Sequence, residues 1–212
     1  MGFLKIPSWN QQWIVGFFGI MHIKDIMVNY DRILGKAICD KYLAEMPLLL
    51  HHSQKCGELC YELAKKIIDL NPELRSELDP ELMGFLGFTH NIGTIVSRDR
   101  HEFHTMYILT KKEGIPENIA IQTRHGQLVE DYQDPHYYPR GIDGILLTYV
   151  DLCVRPEGNV LPLSARLQEM ETLMMKRESV FRNYTEEMVQ RFKAAVPRYQ
   201  RYDRIIQSLL QN

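Results

Sequence analysis

His52, His90, Asn91, His104, His125 and Asp151 are the residues of this sequence best suited to hold a metal ion. Each falls on the apolar face or at the end of its own predicted helix. Imidazole nitrogens, amide oxygens and carboxylates bind divalent cations, and a bound ion acidifies water and neutralises charge on an oxygen. His90 and Asn91 close the run Gly84-Phe85-Leu86-Gly87-Phe88-Thr89, which reads as the end of an apolar helix, and Ile92-Gly93-Thr94 follows as a turn. Neighbouring residues on a continuous helix point about 100° apart. At a helix end, with Gly93 releasing the backbone, both side chains can converge on one point. The plainer reading is that a histidine on an apolar face is a hydrogen-bonded core residue. Asp151 resists that reading, because a carboxylate among Leu147, Tyr149, Val150 and Leu152 is costly unless paired or coordinated.

The elements that would position these groups are helical. From about Lys24 to Glu45, apolar residues recur with a helical period, with a break expected near Gly35. Pro47 suits a first helical turn, and Asn71-Pro72 ends the helix that it starts. The apolar stripe of that helix is Leu48, Leu49, His52, Cys56, Leu59, Leu63 and Ile67, so His52 faces inward and His51 does not. Asp79-Pro80 starts the helix that runs to His90-Asn91. Asp99 to Glu102 reads as a capping box for a helix with His104, Tyr107 and Ile108 on one face. Pro116-Glu117 starts a further helix ending near His125-Gly126, and 127–140 is a long polar and aromatic loop. Ile142 to Val154 is the most apolar helix of the second half, and amphipathic helices follow at about 163–179 and 185–210, with a kink or break at Pro197 in the second. No stretch reads as a convincing strand. The expected fold is all-α, with an apolar arm and helix over 1–46, a core domain over 47–155, and a helical extension over 156–212 packed on that core.

Composition narrows the function. Of the 212 residues, 45% are apolar and 25% charged, which is ordinary for a globular chain with a sizeable core. A net charge of -2 gives no reason to expect nucleic acid or an anionic membrane as a partner. Trp13 to Met21 is strongly apolar but shorter than the roughly 20 residues that span a bilayer. It reads as packing on the domain, with self-association into a homo-oligomer as the alternative. Cys39, Cys56, Cys60 and Cys153 form no CxxC pair and read as small buried apolar residues, which suits a reducing cytoplasm.

Leu50-His51-His52-Ser53, Phe88-Thr89-His90-Asn91-Ile92-Gly93 and Tyr149-Val150-Asp151, in this order on separate helices, resemble the HD-domain superfamily of metal-dependent phosphohydrolases. The resemblance covers about residues 47–155. It implies an HD-like helical bundle in which His52, His90, the residue after His90, and Asp151 hold a divalent ion. Some members carry two further histidines for a second metal, which His104 and His125 match. This sequence departs from the pattern in two places: Asn91 stands where the family has a bridging Asp, and Thr94 where a lysine often follows the glycine. An amide oxygen brings no negative charge and bridges two metals poorly, so Asn91 argues for weakened binding and against a dinuclear centre.

The leading expectation is a phosphohydrolase acting on a nucleotide or other small phosphate ester with a divalent ion (Mn, Fe, Co, Ni, Zn or Mg). Arg98 and Arg124 are then candidates to clamp phosphate and Asp99 a candidate general base, against their plainer readings as solvated arginines and a helix cap. Two rivals stand beside it. One is a degenerate HD domain that binds a ligand or partner without catalysis, which Asn91 favours. The other is a di-iron oxygenase of HD type, which the extra histidines favour.

Overall fold

The computed structural model describes residues 30–98, 100–124, 141–178 and 185–211. The N-terminal apolar arm, Asp99, His125 and the 127–140 loop lie outside the described residues. The described residues form eight α-helices: α1 Arg32–Leu43, α2 Pro47–Leu70, α3 Pro80–Thr89, α4 His101–Lys111, α5 Glu117–Ala120, α6 Ile142–Cys153, α7 Leu163–Lys176 and α8 Glu186–Leu209. Among the described residues the only β pairing is an isolated bridge between Val154 and Val160. The architecture is therefore all-α. No helix among them is long and apolar enough to cross a membrane.

α3 is the centre of the bundle. Every residue from Met83 to Thr89 is buried, so the helix is apolar all round rather than amphipathic. It starts where the sequence says it should: Asp79 accepts from the backbone N–H of Glu81 at 2.9 Å, and Pro80 occupies the first turn. α2 and α1 lie against it. The α2–α3 crossing is close because glycines face it. A Cβ on Gly87 would meet the Cys56 carbonyl oxygen at 2.7 Å, and one on Gly57 would meet the Phe88 ring at 2.4 Å. Gly35 has the same role on α1. It does not break the helix, which runs through it, but lets α1 approach the Phe85 backbone, where a Cβ would sit 2.7 Å from Cα.

One apolar cluster takes in Ile38 and Leu43 of α1, the central helices, and Phe192, Tyr199 and Ile206 of α8. Asn71 ends α2 and ties it to the last helix, with its amide donating to the carbonyls of Ile67 at 2.9 Å and Leu209 at 2.8 Å. α8 runs through Pro197 without a break, so of the kink or break expected there the break does not occur. A proline removes one backbone donor, and Phe192, Ala195, Tyr199 and Tyr202, buried on both sides of it, hold the helix in place by packing.

One further local expectation is corrected. α4 begins at His101, after Arg100 in the left-handed region at φ 55°, and Asp99 of the expected capping box lies outside the described residues. Its inward residues are Glu102, Thr105, Ile108 and Leu109, while Tyr107 is exposed.

The α2–α3 crossing gives a direct test. Gly87→Ala should lower stability by about 1–3 kcal/mol, the usual cost of overpacking, seen as a lower thermal midpoint by circular dichroism. An unchanged midpoint would mean that the two helices are free to separate.

Candidate metal centre

Three elements bring the site together. α2 supplies His52 and, one turn on, Cys56 on the same face. α3 ends at His90, whose backbone N–H still bonds the Leu86 carbonyl at 3.0 Å, and the chain turns through Asn91 into the 3-10 turn Ile92–Ile95. α6, buried from Leu146 to Cys153, supplies Asp151. The turn after α3 is clamped to α4. The Thr105 hydroxyl donates to the His90 carbonyl at 3.0 Å and accepts from the Gly93 N–H at 2.9 Å. Gly93 is required for close approach and not for a left-handed backbone: a Cβ there would lie 2.0 Å from the His101 carbonyl oxygen.

His52, Cys56, His90 and Asp151 each place a ligand-forming atom within 4.8 Å of the others, and all four are buried. The Nε2 of His52 lies 3.0 Å and the Nε2 of His90 3.3 Å from Asp151 Oδ1. The Sγ of Cys56 is 3.5 Å from His52 Nε2. Donors bound about 2.0–2.3 Å from one ion stand roughly 2.9–3.6 Å from their neighbours, so these separations suit a single ion.

The hydrogen bonds on the far side of each ring fix the tautomers. His90 Nδ1 lies 2.8 Å from the Gly87 carbonyl oxygen, and His52 Nδ1 3.4 Å from the Arg155 carbonyl oxygen. A carbonyl only accepts, so each Nδ1 donates there and each Nε2 is turned toward Asp151. A tight turn positions the Arg155 carbonyl: Arg155 N–H bonds Asn159 O at 2.8 Å, and Gly158 takes a positive φ of 84° there. Two ring nitrogens and a carboxylate oxygen thus face one another in a buried space that a proton on one Nε2 or a metal ion could bridge. The residues fit a divalent ion.

Two neighbours supply partial satisfaction. Asn91 Nδ2 donates to His90 Nε2 at 2.7 Å. Rotated by half a turn, the amide would offer its oxygen instead. Burial pushes the Cys56 thiol well above its ordinary pKa, and the Asp151 carboxylate adds to the shift, so without metal Cys56 is an S–H donor to His52. The thiols of Cys39 and Cys153 are pushed up to about 12, chiefly by burial. Outside this group, then, the expected role of cysteines as neutral core residues holds for those two.

The other candidate residues divide. His52, His90, Asn91 and Asp151 come together as expected. His104 is half-buried on α4 and, among the described residues, joins no such group. His125 and Asp99 lie outside the described residues. Arg98 is exposed, and its carbonyl accepts from His101 Nδ1 at 3.2 Å. The Arg124 guanidinium stacks 4.8 Å over the Phe103 ring. The arginines linked to the group are others. Arg155 and Arg166 both bond Glu169, and burial lowers the Arg166 pKa against the opposing pull of the Asp151 carboxylate. Cys56 was legible at i+4 from His52. Arg166 carried no local signal.

No protein-family model matches the chain, nor does any curated protein or solved structure.

Chelator-stripped protein should take up a divalent metal stoichiometrically in equilibrium dialysis read by elemental analysis. Loss of an outer partner of a ligand costs about 10–100-fold, so Asp151→Asn or His52→Ala should weaken uptake by about 100-fold or more. Equal uptake by wild type and both variants would place the metal elsewhere.

Proposed function

We propose that the protein is a metal-dependent hydrolase of phosphate esters, with a nucleotide or another small phosphorylated molecule as substrate. The observation that carries this reading is the convergence of His52 Nε2, His90 Nε2 and Asp151 Oδ1, with both Nδ1 protons committed to backbone carbonyls. The order of these residues along the chain, and their resemblance to the HD pattern, supply the reaction class. His52, His90 and Asp151 would hold the ion, with the Asn91 amide beside them. When bound, a divalent ion there stabilises charge on a phosphate oxygen and acidifies an attacking water.

The chain's own residues do the rest. The carbonyls of Gly87 and Arg155 keep each imidazole in the ligating tautomer and fixed in rotation. The Thr105 clamp holds the His90 backbone, so the ring position does not depend on loop motion. Asp151 supplies the single carboxylate of the group and makes it attractive to cations. Arg155 and Arg166 place positive charge on the C-terminal side, which suits an anionic substrate. A cytoplasmic setting fits four free cysteines.

A second reading has its own observation. Asn91 donates to His90 and Cys56 to His52, so the group is hydrogen-bonded without any metal. That arrangement favours a ligand-binding or interaction module without catalysis.

Turnover of a panel of nucleotides and phosphodiesters by metal-loaded protein distinguishes the two. The hydrolase reading expects release of phosphate or nucleoside phosphate that Asp151→Asn abolishes. Asn91→Asp should raise metal occupancy, because it adds an anionic ligand to a group with one carboxylate. Absence of turnover across the panel, together with no gain in metal for Asn91→Asp, would favour the binding module.

A further inference from the structure

We infer that Cys56 is itself a ligand of this centre, giving a two-nitrogen, one-oxygen, one-sulfur donor set that selects a borderline ion such as Zn²⁺, Co²⁺ or Fe²⁺ over Mg²⁺ and Mn²⁺. The inference rests on reading His52, His90 and Asp151 as a metal centre, and adds to it a ligand and a class of metal.

Position is the first argument. Cys56 Sγ belongs to the same mutual cluster within 4.8 Å and lies 3.5 Å from His52 Nε2. Cys39, Cys60 and Cys153 are as deeply buried, yet among the described residues none of them joins such a group. Burial alone therefore does not account for where Cys56 points. His52 and Cys56 stand one turn apart on α2, so a single rigid helix presents both atoms. The Gly57–Gly87 approach fixes that stretch of α2 against the end of α3, where His90 sits.

Charge is the second argument. Two neutral imidazoles and one carboxylate leave a divalent ion with one uncompensated positive charge. His90 is fully buried, and Asp151 and His52 are nearly so. A buried net charge is costly. Asn91 offers only a dipole. Arg166, also buried, already draws on the Asp151 carboxylate. A thiolate closes the balance, and an ion deprotonates a thiol that coordinates it. Sulfur beside imidazole suits Zn²⁺, Co²⁺ and Fe²⁺, whereas Mg²⁺ asks for oxygen ligands and retained water.

The test uses the full chain, stripped with chelator and loaded with Co²⁺, with uptake followed by equilibrium dialysis and the absorption spectrum recorded. Stoichiometric uptake should come with a thiolate-to-cobalt charge-transfer band in the near ultraviolet. Cys56→Ser should lose the band and Cys60→Ser should keep it. In competition, Cys56→Ser should reduce the preference for Zn²⁺ over Mn²⁺ by about tenfold or more, the usual scale for disturbing a metal site. Cobalt uptake without the band, or a band that survives in Cys56→Ser, overturns ligation by Cys56 and leaves the centre of His52, His90 and Asp151 standing. No uptake by the wild-type protein overturns the metal centre itself and this inference with it. X-ray absorption of the zinc-loaded wild type answers without any variant. A sulfur at about 2.3 Å supports ligation, and a shell of only nitrogen and oxygen at about 2.0–2.2 Å refutes it.

Discussion

The close crossing of α2 and α3 is the constraint from which the site follows. Helices normally pack with axes 8–10 Å apart, set by the side chains between them. Here Gly57 and Gly87 remove those side chains at the crossing, and the Cys56 carbonyl lies where a Cβ on Gly87 would have to go. His52 and Cys56 stand just before that point on α2, and His90 stands three residues after it on α3. Any residue larger than glycine at the crossing would move two ligand-bearing segments apart together. The same glycine has a further part, because its carbonyl accepts the His90 Nδ1 proton. Helix packing and ring orientation are therefore set at one residue.

The rest of the bundle finishes what the crossing begins. α6 is buried along most of its length, so Asp151 is largely withdrawn from solvent and must find most of its partners inside. The turn closed by the Val154–Val160 bridge brings the Arg155 carbonyl to His52 Nδ1. α7 contributes Arg166 and Glu169 behind that turn. The C-terminal half thus reaches the site through one backbone carbonyl in the turn before α7 and a partly buried ion-pair network, although none of its side chains after Asp151 belongs to the four-residue group. Asn71, bonded to both α2 and α8, keeps the two halves of the chain in register.

Much of this was legible in the sequence because it rests on local chemistry. Pro47, Asn71-Pro72 and Asp79-Pro80 place helix ends through φ restriction and capping, and these operate within a turn. The inward face of α2 followed from the 3.6-residue period, which separated buried His52 from exposed His51. What was misread depends on contacts between distant segments. Gly35 reads as a break when its neighbour across the bundle, Phe85, is unknown, and Gly93 reads as a flexible turn when His101 and Thr105 are unknown. Pro197 reads as an interruption until the packing on both sides of it is seen. Arg155 and Arg166, which are linked to His52 and Asp151, arrive from a distant turn and helix. Sequence distance carries no information about that arrangement.

The residue after His90 governs how this buried group is balanced within the fold. Two imidazole lone pairs facing one carboxylate can be neutralised by a single proton, and the amide of Asn91 gives His90 a donor at 2.7 Å. An aspartate at the same place would set two carboxylates against two lone pairs in a buried space. Like charges so placed repel strongly at low dielectric, and one proton would not compensate them. Such a group would depend on metal for its folded stability. With Asn91 the group carries one negative charge fewer, and the Asn91 amide and the Cys56 thiol each bond a ring nitrogen. An ion held there would have to displace those two donors, which would lower its affinity relative to a site of naked lone pairs. If Cys56 gave up its proton to join the ion, one of the displaced donors would become a ligand. The competition between hydrogen bonds and an ion would therefore turn on the two residues beside the histidines rather than on the histidines themselves.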